Sequence, residues 1–281
     1  MGDAQIQWHP GFVAAMNLEM AESRGNLRFE KEYNLNVKPL EIDLLITKES
    51  VDTPIENEIG RIFKGHNILE YKNSTDQLDI DVFYKVEGYA CLYKAYGETV
   101  DFIKEDDVTI TFIREAKPTG LFRYFSGHGY QVSNPYPGIY YITGRVLFPA
   151  QIVVTKELDP QSHVWLRALS GKLEKQDMWN LLECIGQLEG KRDKELGDAV
   201  LEVAMRANER IVKELIGDGN MSEALMEIMK PIIEPMLQQK ERQAIQSVVN
   251  ALRDYGLSGD KIKENIMKNF GLTSEDAEQY L

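Results

Sequence analysis

Apolar and polar positions follow helical spacing first, then strand spacing, then helical spacing again. Phe12, Ala15, Met16 and Glu19 recur at helical intervals and predict a helix over 9–23. Arg24-Gly-Asn26 breaks it. Leu27, Phe29, Lys31, Tyr33 and Leu35 then alternate, as in a strand with one mixed face. A turn ending at Pro39, which cannot donate a ladder hydrogen bond, leads into the apolar run Leu40–Ile46. A polar loop and a short helix or turn at 54–63 precede a third strand, His66–Lys72. A cap-rich turn opens a helix over 78–97, with an apolar stripe through Val82, Phe83, Val86, Tyr89, Ala90, Tyr93 and Tyr96. Val108–Ile113 is a strand of β-formers. The Gly-, Pro- and Tyr-rich stretch 117–149 reads as strands and hairpins, closed by a strand at 151–155.

From Asp159-Pro160, a cap followed by a first-turn proline, the pattern is helical. Helices are expected at about 160–173, 175–189, 193–216, 221–238, 239–255, 258–269 and 273–280. Asn220 and Glu223 have capping-box spacing, and Pro231 and Pro235 are expected to kink or divide their helix. The expected architecture is α/β: a mixed sheet flanked by helices, with an all-helical C-terminal region. The domains are placed at 1–156 and 157–281.

Chemistry concentrates in the second and third strands. Glu70 and Lys72 are two apart, so a carboxylate and an ammonium leave one face about 7 Å apart while Tyr71 faces the other way. Asp43 lies inside Ile42-Asp-Leu-Leu-Ile46, where an unpaired buried carboxylate would cost several kcal/mol. If the two strands pair, Asp43, Glu70 and Lys72 converge; two carboxylates can hold a divalent ion, and the lysine can orient or deprotonate a water. Glu19 falls near the apolar face of the first helix, with Glu22 one turn on at its edge. Glu19 is open to two readings, a solvated helix acid or a third carboxylate turned towards the metal. Lys85 and Tyr89, one turn apart on the flank of their helix, can touch a phosphate or brace Glu70.

Asp43 followed by Glu70-Tyr71-Lys72 resembles the core of the PD-(D/E)XK nucleases. Trp8-His-Pro-Gly-Phe-Val, Pro39–Ile46, Asn67–Lys72, Asp81–Val86 and Gly88–Lys94 are similar to the Rpn-like recombination-promoting nuclease, or transposase-type, branch. The resemblance covers roughly the first 155 residues and extends loosely into the helices. It implies a restriction-endonuclease-like core, which the order helix, strand, strand, strand, helix, strand fits. It implies DNA as partner and Mg²⁺ or Mn²⁺ as cofactor, held by Asp43, Glu70, the Tyr71 carbonyl and Glu19, which it favours over Glu22. It also implies that Lys72 acts in catalysis and that Lys85 and Tyr89 face substrate. The C-terminal helices resemble the tails of the same branch, leaving dimerisation, DNA contact and core completion open.

The composition of the 281 residues constrains this picture. An apolar fraction of 43% is ample for a core, and no apolar run is long enough for a membrane span. The start of the chain lacks the pattern of a secretory signal, and Cys91 and Cys184 have no zinc or redox spacing, so buried reduced thiols and a cytoplasmic location are expected. Net charge is −13, with 16 Lys and Arg against 22 Asp and Glu in 1–156, and 16 against 23 in 157–281. That argues against a nucleic-acid coat protein, although a nuclease needs only a local basic track. It also motivates a second reading, a catalytically inactive nuclease scaffold that binds DNA or protein. Neither a P-loop nor a dinucleotide fingerprint occurs, and Gly127-His128-Gly129 lacks a nucleophile elbow, so His128 reads as a turn residue.

Overall fold

The computed structural model describes residues 8–34, 41–50, 53–73, 75–217 and 223–281. Pro39 and Asn220 lie outside the described residues. The chain forms two compact units, Met1–Met221 and Ser222–Leu281.

The first unit is built on a seven-stranded mixed sheet: β1 (Leu27–Asn34), β2 (Glu41–Lys48), β3 (His66–Lys72), β4 (Val108–Arg114), β5 (Gln131–Tyr136), β6 (Ile139–Thr143) and β7 (Ala150–Val154). Spatial order is β1-β2-β3-β4-β7-β6-β5. Strands β1, β2 and β3 are mutually antiparallel, β3, β4 and β7 run parallel, and β6 and β5 return antiparallel. The three parallel strands are the most buried because helices cover them on both faces; β7 is buried at every position.

On one face lie α2 (Ile80–Ala95) and α3 (Thr119–Gly127). Asp79 caps α2 by accepting the Val82 N–H at 3.0 Å. Phe83 of α2 stacks on Phe112 of β4 at 5.1 Å and meets Phe125 of α3 edge-on at 5.1 Å. All three rings are fully buried, each contributing roughly 1.5–3 kcal/mol. On the other face, α1 (Trp8–Glu19) stacks Phe12 on Tyr71 of β3 at 5.0 Å. Behind α1 lie α4 (Val164–Arg167), α5 (Lys175–Gly186), α6 (Lys191–Ala207) and α7 (Glu209–Gly217). Gly11 allows α1 and α6 to cross closely, since a Cβ there would sit 2.7 Å from Val203 Cγ2.

The outer strand β5 is exposed over most of its length, and its pairing with β6 shifts register between Ser133 and Tyr136, around Pro135. After β7, every described element is a helix. In the second unit, α8 (Glu223–Asp254), α9 (Gly259–Phe270) and α10 (Ser274–Glu278) bury Ile245, Val249, Ile262, Ile266 and Ala277 against one another. Thr273 caps α10, and Gly271, at φ 67°, ends α9.

Four expectations require correction. Residues 119–127, expected as strand or hairpin, form α3. Their glycines and aromatics conceal a nine-residue helix held by buried Leu121 and Phe125 rather than by propensity. Asp159 caps a turn, accepting the Gln161 and Ser162 N–H groups, and the helix begins only at Val164. The helix expected over 193–216 is divided at Asn208, whose amide bonds Ser170 O and Ala204 O. The two helices expected over 221–255 are one, and α8 passes through Pro231 and Pro235. Cys91 and Cys184 are unpaired and half-buried. Among the described residues, no helix is long and apolar enough to cross a membrane.

Candidate active site

The β2–β3 ladder pairs Leu44 with Leu69 and Leu45 with Ile68. Continued by one residue, this register sets Asp43 opposite Glu70, on the same sheet face. There the ladder gives way to a side chain: Asp43 Oδ2 accepts the Tyr71 N–H at 2.8 Å. Strand alternation sends Tyr71 to α1 and leaves Glu70 and Lys72 on the α2 side, where Lys72 Nζ donates to Glu70 Oε1 at 2.6 Å.

Both carboxyls are held above the ordinary range. For Asp43 the main cause is burial, opposed by the Tyr71 N–H and then by the charges of His9, Lys72 and Lys85. For Glu70 burial again leads, and the negative charge of Asp43 adds to it, outweighing the hydrogen bond from Lys72. Glu70 has only 4% of its side chain exposed, so its preference for the proton is that of a desolvated acid facing another acid. From α2, Lys85 Nζ lies 5.2 Å from the Tyr89 ring centroid. Its hydrogen bond to Tyr89 raises the lysine's pKa, and the nearby charges of Glu70 and Asp43 add to that.

The structure therefore brings together Asp43, Glu70, Tyr71, Lys72, Lys85 and Tyr89. It adds His9, whose Nδ1 is 3.9 Å from Asp43 Oδ1. Glu19 stands elsewhere. It lies ten residues beyond His9 on α1, about 15 Å along the axis at the helical rise. Its buried carboxylate receives His163 Nδ1 at 2.8 Å and the Leu166 N–H at 3.1 Å. His163 Nε2 in turn meets Glu58 Oε2 at 2.9 Å. Burial alone would lower the His163 pKa, but the hydrogen bond and charge of Glu19, with those of Glu58, carry it above the usual value. The apolar-face position of Glu19 was a sequence signal that the acid is buried. Nothing near His163 in the sequence marked it as the partner, and His9 was equally unmarked.

Oxygen donors on a pair of carboxylates, one buried and one half-buried, suit a hard divalent cation, which would relieve their mutual repulsion. Among the described residues, no group of three or more His, Cys, Asp or Glu could hold a metal ion. A two-carboxylate site is the usual protein share for Mg²⁺, with water, carbonyl or phosphate oxygens supplying the rest. Compared with protein-family models, curated proteins and solved structures, the chain matches none.

Proposed function

We propose that the chain is a divalent-metal-dependent deoxyribonuclease on a restriction-endonuclease-like core, of the recombination or transposase-associated type. The observation that carries this reading is the meeting of two carboxyls, half-buried Asp43 and buried Glu70, with the Lys72 ammonium 2.6 Å from Glu70. Such a cluster is unfavourable in isolation and becomes favourable around a cation.

Asp43 and Glu70, with the Tyr71 carbonyl that the sequence resemblance adds, would hold Mg²⁺ or Mn²⁺. Bound there, the ion would supply positive charge to a phosphoryl oxygen and acidify a water. Lys72 hydrogen-bonds the attacking water or donates to the phosphoryl oxygens as charge develops on them. Lys85, exposed and braced by Tyr89, holds a phosphate in line with the carboxylates. The Asp43 contact to the Tyr71 N–H fixes its carboxylate in one orientation, so little is reorganised on binding.

The test is nicking of supercoiled plasmid in Mg²⁺ or Mn²⁺ by wild type, Asp43→Ala and Lys72→Ala. Loss in both variants is expected; metal-dependent cleavage surviving in both overturns the assignment. The net charge of −13 favours a second reading, a non-catalytic binding module on the same scaffold. It predicts no turnover in any metal, and Mn²⁺ titration calorimetry with no site lost in Glu70→Ala.

A further inference from the structure

At the carboxyl end of β4, between the residues leading into α2 and the first turn of α3, lies a cleft of about 530 Å³. Arg114 ends β4 and is paired in register with Lys72. Paired residues of parallel strands share a face and stand about 4.8 Å apart, so Arg114 lies beside Lys72 on the face that carries Glu70, one row beyond the Glu70–Phe112 pair. Its Nε is buried without a hydrogen-bond partner among the described residues. A guanidinium donor left so is costly unless something enters to accept from it.

Around Arg114 the cleft is walled by Lys117, by Thr75 and by Thr119, Gly120 and Leu121 in the first turn of α3. No side chain caps that turn; the Thr119 N–H is taken by the Lys117 carbonyl at 2.9 Å, which leaves the Gly120 and Leu121 amides as the uncapped donors of the first turn. Two acids border the space: Asp79 caps α2, and Asp76 accepts the Asn73 N–H at 3.3 Å while its charge, with that of Glu115, also acts on Arg114 without a hydrogen bond to its Nε. In open α/β sheets the crevice beyond the strands' carboxyl ends is where ligands bind.

We propose that this cleft, through Arg114 and the first turn of α3, seats a backbone phosphate of the DNA strand adjoining the one presented to Asp43 and Glu70. The proposal rests on the nuclease reading for its ligand, but it is tested by binding rather than by cleavage. Arg114 is here a positioning residue.

The experiment measures anisotropy of a labelled DNA duplex in EDTA, where metal-dependent turnover is absent, across a salt series. Compared are wild type, Arg114→Gln, Arg114→Lys, Lys117→Gln and Asp76→Asn, each checked for an unchanged melting curve. Arg114→Gln is expected to weaken binding about 10-fold and to flatten the slope of log K against log salt by about 1, the signature of one lost phosphate contact. Arg114→Lys should recover most of the slope, and Asp76→Asn should tighten binding. If Arg114→Gln does not fold, the exposed Lys117→Gln must show the same flattening in smaller degree. An unchanged affinity and slope in the folded glutamine variants, or no duplex binding by wild type, overturns the subsite. Arg114-dependent binding by a protein that never cleaves DNA upholds the subsite and sinks the nuclease reading instead.

Discussion

Two clusters in the first unit bury carboxylates, and they have opposite characters. Around His163, both ring nitrogens meet a glutamate, and Glu19 also takes a backbone N–H, so the charges are answered inside the protein. Around Asp43 and Glu70, two acids face each other; Asp43 takes the Tyr71 N–H with His9 3.9 Å away, and one close ammonium serves Glu70. The first cluster ties α1, the segment before β3 and the start of α4 together. The second is left with two desolvated acids in mutual repulsion. The same residue type, at similar burial, is structural where its partners come from the chain and poised where they must come from outside.

The contrast is tested most severely by removing the centre of the satisfied cluster. His163→Ala leaves the buried Glu19 carboxylate without its imidazole partner, and a loss of about 3–5 kcal/mol in denaturant unfolding is expected. A loss below about 1 kcal/mol would mean the cluster is not the tie described. Because the folded His163 pKa is raised, its contribution is fully present below the unfolded value, near 6.5, and fades as pH rises through the higher folded value. A pH series of wild type against His163→Gln should show that difference shrinking towards alkaline pH.

On the poised side, Asp43→Ala should reduce metal-dependent plasmid nicking by more than about 100-fold, beyond the range typical of residues outside the ligand shell. Asp43→Asn tests the other half of the contrast. A carboxyl whose folded pKa is raised stabilises the protein below its unfolded pKa and loses that contribution as pH rises through the folded one. At pH 7 in EDTA the asparagine variant should therefore melt higher, on the order of 2–4 °C for about 1 kcal/mol in a domain of this size. It should also lose the stabilisation that Mn²⁺ gives the wild type. A lower melting point would show that Asp43 is satisfied as it stands. The smallest effect belongs to Lys85→Gln, an exposed change expected to cost about 10-fold in nicking with no change in melting.

Much of the poised site was legible because it rests on strand alternation. Glu70 and Lys72 had to share a face, and an aspartate inside Ile42-Asp-Leu-Leu-Ile46 had to find a partner. The neighbouring strands and helices α1 and α2 followed from the same periodicity. The satisfied cluster was not legible, since Glu19 and His163 are 144 residues apart and only tertiary packing joins them. The same limit hid α3, where two buried side chains outweigh poor local propensity, and the unbroken α8, whose prolines favoured a division that the helix does not make.

One flank of the sheet also governs the protein's behaviour in a crowd. Strand β5 presents its outer backbone to solvent, yet Pro135 deletes an amide there and the slipped register beside it twists the ribbon out of line. A neighbouring molecule offering a strand of its own finds no continuous template to zip onto, so this margin resists growth into fibrils at high concentration.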